Sequence, residues 1–600
     1  MSTMKNFKKN NGACAHVDMW AYEHVSLRKG SGLFVAALIA TSTFGQTGGN
    51  LNEVYNVEGT FERTINAVQK IDLRPESIDT VLPVTPMTYT MLPVKADVPV
   101  RVDSIEAAKL NIQLSQQKLY KGFVKAGFGL YTTPLFEVYY DQIRNKKNSY
   151  GIHVKHMSSN GGLSDVGPSD YSFNNVDGFY NAYLKHHDVE GRITYDRRRV
   201  SYYGYTSSDS LENRILLTPN VPDDARKQVY NDIGFAVRLK SLYKDSTKLA
   251  HNVGLNVYNY KNLTGSSETN LKLDADLGME MGTETYGGSI LIDNNAYRAV
   301  LGGSLEDVRT NGTLLGISPF VSTKGDKYTV KVGAGMFLDS QGSTTFHFFP
   351  QAYLDYSLFG DILVPYVGVD GRRIRNSFRS LTRENPWLSG APALANSSLM
   401  YDLYGGLRGS FSSDIGFDVR ISQSRMKNRP LYVNNSYSID STTFGDRFAI
   451  AYDEVGQLDI SGEVTYSHGE HIDVTGRIDV FTYTTEDQAE AWNLPPYQLS
   501  LGARYDFRDK LIVKVEALFM GARKAQVILP DPVIFSEQPP PTLTVDLDGF
   551  LDLYLGVEYR YTKRLSLFFD ASNLSASKYE RWNRYPVQRT LFLGGATYAF

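Results

Sequence analysis

Ile472-Asp473-Val474-Thr475-Gly476-Arg477-Ile478-Asp479-Val480 is the stretch that decides the fold. Every even position is apolar or glycine, and the odd positions are Asp473, Thr475, Arg477 and Asp479. Side chains of a strand point alternately to its two faces, so this segment is dry on one face and charged on the other. Such a segment has the length of a tilted strand that crosses a hydrocarbon layer, about 9–11 residues, whereas globular strands centre on about 5–6.

The same split recurs at Leu271, Leu273, Ala275, Leu277 and Met279 against Lys272, Asp274, Asp276 and Glu280. It recurs at Tyr328, Val330, Val332, Ala334 and Met336 against Lys327, Thr329 and Lys331, and from Leu551 to Tyr561 around Asp552, Glu558 and Arg560. Tight connections, such as Thr132-Thr133-Pro134 or Arg564, alternate with long polar loops over 158–177, 376–399, 425–444 and 524–547. Short periplasmic turns and longer external loops are how outer-membrane barrels are built. The expected fold is all-β: a large transmembrane antiparallel β-barrel of about 20 strands, within a range of about 18–22. Its lumen would be too wide for side chains to fill, hence watery or blocked.

Composition agrees with strands and turns. The 600 residues include 40 Tyr, 30 Phe and 51 Gly, and 42% hydrophobic residues suit a barrel that exposes a polar residue for each apolar one. Aromatic pairs at segment ends, Tyr139-Tyr140, Tyr202-Tyr203, Phe348-Phe349 and Tyr559 with Tyr561, are expected in interfacial girdles. A net charge of −3, from 62 basic and 65 acidic residues, provides no field for nucleic acid.

The run Gly32-Leu-Phe-Val-Ala-Ala-Leu-Ile-Ala40 follows Arg28-Lys29 and precedes small residues up to Gly45, the layout of a signal peptide. The expected domains are a signal peptide over 1–45, with translation starting at Met1 or Met19, a proline-punctuated periplasmic arm over 46–118, and the barrel over 119–600. The single cysteine, Cys14, precedes the cleavage point, which leaves a mature chain without disulfides or Cys-bound metal. The chain ends in Gly595-x-x-Tyr598-x-Phe600, with two aromatics on one face of a last strand. This resembles the signal read by the barrel-assembly machinery, with Leu593 where a polar residue is usual.

Leu567-Phe-Phe-Asp-Ala-Ser-Asn-Leu574, Lys578-Tyr579-Glu580, Tyr585, Arg589 and Tyr598-Ala-Phe600 resemble the last two strands of TonB-dependent receptor barrels. Further stretches are similar to plug-less relatives in Bacteroidota: Gly127-Phe-Gly-Leu-Tyr131, His156-Met-Ser-Ser-Asn-Gly161, Tyr195-Asp-Arg197, Glu384-Asn-Pro-Trp387, Leu403-Tyr-Gly-Gly-Leu407 and Ala491-Trp492. The resemblance implies a receptor-like barrel exported to the outer membrane of a Gram-negative cell. The 46–118 segment is shorter than the family's plug, and no TonB-gripped segment is evident.

Hydrolase, metalloprotease and phosphate-loop motifs are absent, so no catalytic, cofactor or metal residue is assigned and no enzyme is expected. His153, His156 and the run His186-His187-Asp188 are scattered; adjacent strand residues diverge, which disfavours a shared metal. Tyr195-Asp-Arg-Arg-Arg199 reads as a hairpin tip that, facing outward, would pair with lipopolysaccharide phosphates. Gly371-Arg-Arg-Ile-Arg375, Arg379 and Arg383 lead into a loop with Pro386 and Trp387 that would hold an anion, fold into the lumen or cover the mouth. Pro539-Pro540-Pro541 stiffens another loop. The expected function is solute or nutrient transport, with a non-transporting subunit of an envelope secretion or assembly complex as the alternative. Expected partners are membrane lipid, lipopolysaccharide, the assembly machinery and, through the arm, other envelope proteins.

Overall fold

Alternation becomes architecture in a computed structural model that describes residues 120–143, 145–204, 226–300, 306–434, 446–528 and 541–600. The expected signal peptide and the 46–118 arm lie outside the described residues.

From Gly122–Gly129 to Leu511–Met520, each of nineteen strands pairs antiparallel with the next in sequence. Phe550–Arg560, Leu565–Ser572 and Leu591–Ala599 continue the ladder, and Leu591–Ala599 pairs with Gly122–Gly129. The result is a closed barrel of 22 strands. Among the described residues the hairpin Arg523–Ile528 and Thr542–Leu547 joins the sheet through a single bridge, Asn434↔Val527, because Leu511–Met520 pairs directly with Phe550–Arg560. Closure leaves no open edge, which lipid would not tolerate.

Outward positions are apolar and bare. Val474 is 36% and Ile478 48% exposed, whereas Asp479 of the same strand, on the lumen side, is only 5% exposed. The belt continues through Ile193, Phe235, Leu271, Val332, Leu403 and Val419. Such an exposed apolar band belongs against lipid.

Antiparallel pairing puts 21 connections alternately at two rims. One rim carries the connections around 160–170, 375–396, 486–496, 521–549 and 573–590. The other has short turns, such as 282–283, 325–327 and 561–564, together with Phe600. Thr132-Thr133-Pro134 is a correction: the turn is 130–132, at the long-loop rim, tightened by positive φ at Tyr131 and Thr132. Two expected loops also shrink. Asn148–Ser159, Tyr171–Tyr183 and Ile415–Asn434 run into 158–177 and 425–444 as strands. Beyond the hydrocarbon both faces turn polar, so the ladder continues where the hydropathy pattern has ended.

The seam depends on glycine. A Cβ on Gly595 would stand 2.1 Å from the Ala126 carbonyl oxygen and 2.6 Å from the Gly127 Cα. Phe600 closes the end, exchanging backbone hydrogen bonds of 2.9 and 3.0 Å with Gly122 while its ring covers that glycine. Tyr598 points outward beside it, with ring centroids 6.4 Å apart. Gly595→Val is therefore expected to abolish most of the heat-modifiable folded band in outer-membrane extracts. A normal yield of that band would contradict this account of the seam.

Candidate functional site: the loop-filled mouth

The 375–396 connection leaves the wall after strand Leu363–Ile374 and turns inward. Its centre is helix α1, Phe378–Glu384, which begins in a capping box: Ser377 Oγ accepts from the Ser380 N–H at 3.0 Å, and the Ser377 N–H donates to Ser380 Oγ at 2.9 Å. The free N–H groups of Phe378 and Arg379 donate to the Glu268 carboxylate at 2.6 and 3.4 Å. Glu268 is fully buried on the lumen face of strand Ser267–Met281 and also accepts the Tyr258 hydroxyl at 2.6 Å. A buried carboxylate at a helix start satisfies orphan donors and opposes the helix dipole.

Arginines fasten the same loop to the wall. Arg373, at the end of the wall strand, meets Asp339 at 2.8 Å; from the loop itself Arg375 meets Asp293 at 2.9 Å, and Arg379 and Arg383 both reach Asp232 at 2.6 Å. Arg383 also faces Asp196 at 3.5 Å. The basic run of the sequence is thus neutralised by wall carboxylates. It holds the loop rather than an anion.

Wall tyrosines complete the attachment by donating to the loop's turning backbone. Tyr202 reaches the Leu388 carbonyl at 3.2 Å, Tyr230 that of Pro386 at 2.9 Å and Tyr297 that of Pro392 at 3.3 Å. Tyr260 pairs with the Thr382 hydroxyl at 2.8 Å. Without these donors, a loop buried in the lumen would carry unsatisfied carbonyls.

The loop reaches the opposite wall. Phe448 heads the sixteenth strand, Phe448–His468, and its backbone exchanges hydrogen bonds of 3.0 and 2.8 Å with Trp387 and Ser389. Tyr202 follows the fifth strand, His187–Ser201, and the Arg447 guanidinium lies 4.5 Å over its ring. Strands five and sixteen stand eleven steps apart in a ring of 22, so strand ends from opposite sides of the ring meet at this loop.

A second connection, 573–590, packs against the first. Its short hairpin, Glu580–Trp582 with Tyr585–Pro586, stacks Tyr585 on Trp387 at 4.1 Å and sets Trp582 edge-on to Tyr432 and Phe448. Gln588 donates to Ser159 Oγ at 3.0 Å and the Gly161 carbonyl at 2.7 Å. Arg523 donates to the Arg581 and Glu580 carbonyls, and burial pulls its guanidinium down to about 10. The buried aromatic cluster contains Tyr202, Tyr230, Tyr260, Tyr297, Phe378, Trp387, Phe448, Trp582 and Tyr585.

Beneath this cap the wall is charged and paired. Arg408 meets Asp355 at 2.7 Å, Arg420 meets Asp402 at 2.7 Å, and Arg477 bridges Glu463 and Asp479 at 3.1 and 2.9 Å. A recess of about 420 Å³ near the short-turn rim is lined by Val364, Arg408, Ser410, Asp418, Glu463 and Thr465.

The other residues singled out by sequence fall apart spatially. His153 pairs with Glu137 at 3.0 Å and His156 with Asn174 at 2.7 Å, while His187 lies tilted against His251, ring centroids 5.2 Å apart, at the opposite rim. Among the described residues no group of three potential metal ligands converges. Residues 195–199 are not a hairpin tip but part of strand His187–Ser201, so alternation sends Arg197 and Arg199 outward and Asp196 and Arg198 inward. The girdle reading holds for Tyr140, Phe348, Tyr559 and Tyr561, which are exposed, but Tyr202 and Phe349 are buried. Pro539 and Pro540 lie outside the described residues. Sequence reading missed Glu268, Asp232 and Asp293. Their signal was polarity on both faces at the strand ends, seen in Asp293-Asn294-Asn295.

No protein-family model matches the chain, and no curated protein matches its sequence. Solved structures do resemble it. The FrpB iron transporter from Neisseria meningitidis superposes with a TM-score of 0.60 at 8% identity, covering 81% of this chain and 82% of that one. The siderophore receptor PirA from Acinetobacter baumannii gives 0.58 at 10%, covering 81% of each chain. The ferripyoverdine receptor of the outer membrane of Pseudomonas aeruginosa gives 0.58 at 12%, covering 80% and 72%. The chain shares the barrel fold of these outer-membrane receptors.

Removing one member of a buried ion pair strands the other, at a cost of about 3–5 kcal/mol. Arg375→Ala is expected to destabilise the cap by about that amount while leaving the barrel closed. Trp387, Trp492 and Trp582 all sit at this rim, so tryptophan fluorescence during denaturation reads the loss.

Glu384 supplies a pH test. Burial pushes its carboxyl above the usual range, against the Tyr432 hydroxyl at 2.8 Å and the Arg429 and Arg581 guanidiniums. The folded cap thus holds a proton that the unfolded chain releases, so its stability falls as pH rises through the window just above the ordinary glutamate value. Glu384→Gln keeps an acceptor for Tyr432 and should flatten that dependence in the same fluorescence measurement.

Proposed function

We propose that this chain is an outer-membrane barrel of the TonB-dependent-receptor type that passes a hydrophilic solute, with its own loops as the gate. The observation that carries the reading is the 375–396 loop, which runs from wall to wall across a charge-lined lumen. A sheet of this circumference needs an obstruction, because an unobstructed lumen would leak. The partly exposed Arg408, Arg420 and Arg477 pairs below the cap suit a water-filled path for a polar solute, for which a purely anchoring barrel has no use.

The fold likeness supports the outer membrane and a transport role. It is the passage of a solute that is carried over, not the iron or siderophore named for those proteins. Export through a cleaved signal peptide and assembly through Gly595, Tyr598 and Phe600 complete the proposal.

Planar-bilayer recordings of the purified mature chain provide the test. The intact protein should be mostly closed, and a variant with 378–395 replaced by a short Gly-Ser linker should show large, stable conductance steps. Liposomes bearing the variant should also admit small sugars. Equal conductance of the two proteins, or a silent deletion variant that retains heat-modifiable migration, would overturn the gate.

A further inference from the structure

The outer surface of six adjacent strands changes chemistry row by row. The registers align Val189, Leu239, Val253, Ala275, Ile290 and Ile317 side by side. Two residues up each strand lies Gly191, Val237, Leu255, Leu273, Ile292 and Leu315, also apolar. Further up come Ile193, Phe235, Val257, Leu271, Asn294 and Thr313, then Tyr195, Ile233, Asn259, Thr269, Ala296 and Asn311. The amides there pair within the surface: Asn259 with Thr269 and Asn294 with Thr313, both at 2.8 Å.

The next row is Arg197, Asn231, Lys261, Ser267, Arg298 and Arg309. Four of its six members are cations, and Arg199 and Lys227 flank it on the same outward face. Lys261, Arg298 and Arg309 are exposed. Among the described residues beside this row the carboxylates are Asp170, Glu306 and Asp307; Asp170 is held by Arg199 at 2.8 Å and Asp307 by Arg298 at 2.5 Å. Among the described residues beside the row, six cations thus face three carboxylates.

Position names the ligand. Arg197 and Lys261 stand four residues above the last apolar outward side chain of their strands, Ile193 and Val257. Arg298 and Arg309 stand six above Ile292 and Leu315. At about 3.3 Å per residue and about 40° of tilt, these cations lie about 10–15 Å beyond the apolar boundary. Long arginine and lysine side chains reach back toward it. That is headgroup depth. Strands about 4.8 Å apart spread the row over about 24 Å, wider than one phosphate and suited to a headgroup with several.

We infer that the outward row Arg197, Lys261, Arg298 and Arg309 binds phosphorylated lipid headgroups of the outer leaflet. The inference goes beyond the gate and rests only on the outer-membrane placement. Partition of the native protein with outer membranes is therefore measured first; a protein found in the soluble fraction fails the placement, not the row.

The test uses the folded, detergent-solubilised full chain and diphosphoryl lipid A in mixed micelles. An Arg197→Gln/Lys261→Gln/Arg298→Gln/Arg309→Gln variant should bind at least about tenfold more weakly, a cautious figure when each cation at an anionic surface is worth about fivefold. Its heat-modifiable migration should be unchanged. Dephosphorylated lipid A should not distinguish the two proteins, and a Lys146→Gln/Lys147→Gln variant at the opposite rim should bind as the native chain does. Equal binding by the quadruple variant would overturn the inference, as would equal weakening by the opposite-rim variant. Displacement of the lipid by inorganic phosphate alone at matching concentration would also overturn it, since that marks a free-phosphate site.

Discussion

The structure follows from one constraint: in lipid, every backbone N–H and C=O must find its partner within the sheet. A 22-strand ladder meets it only by joining its first strand to its last, which it does from Phe123↔Ala599 to Gly129↔Leu593. Glycines 127, 129 and 595 keep that junction thin, and Phe600 seals its end. The same closure creates the next problem, because a ring this wide encloses more space than its inward side chains can occupy.

The chain meets that problem with polar attachment as much as with apolar packing. A loop crossing the lumen must satisfy its own backbone, and the wall supplies donors and acceptors at fixed heights: hydroxyls from Tyr202, Tyr230 and Tyr297, carboxylates from Glu268, Asp232 and Asp293. Aromatic stacking of Trp387 on Tyr585 joins the two inserted loops into one body. Such a cap is held by specific, directional contacts whose loss is costly one at a time. Those contacts also have water as an alternative partner, which a purely apolar plug would lack.

The barrel was legible because lipid on one side and water on the other write a period of two, as in Ile472 to Val480. Strand ends were not legible where both faces are wet, so Ile415–Asn434 outran its pattern and Tyr202 looked like a girdle residue. The basic run from Arg373 to Arg383 stood out, but its partners Asp339, Asp293, Asp232 and Asp196 come from four different strands. Only closure of the ring brings them together, and no local spacing encodes that. Arg197 was visible as a charge, whereas its alignment with Lys261, Arg298 and Arg309 required the register.

The account turns on whether the mouth is filled by the chain's own loops in the cell. Leu388 is fully buried between opposite walls, while Leu263 is exposed at the same rim. Labelling of intact cells by a membrane-impermeant maleimide compares Leu388→Cys with Leu263→Cys directly. The account predicts rapid modification at position 263 and protection at position 388. Equal, rapid modification at both would contradict it.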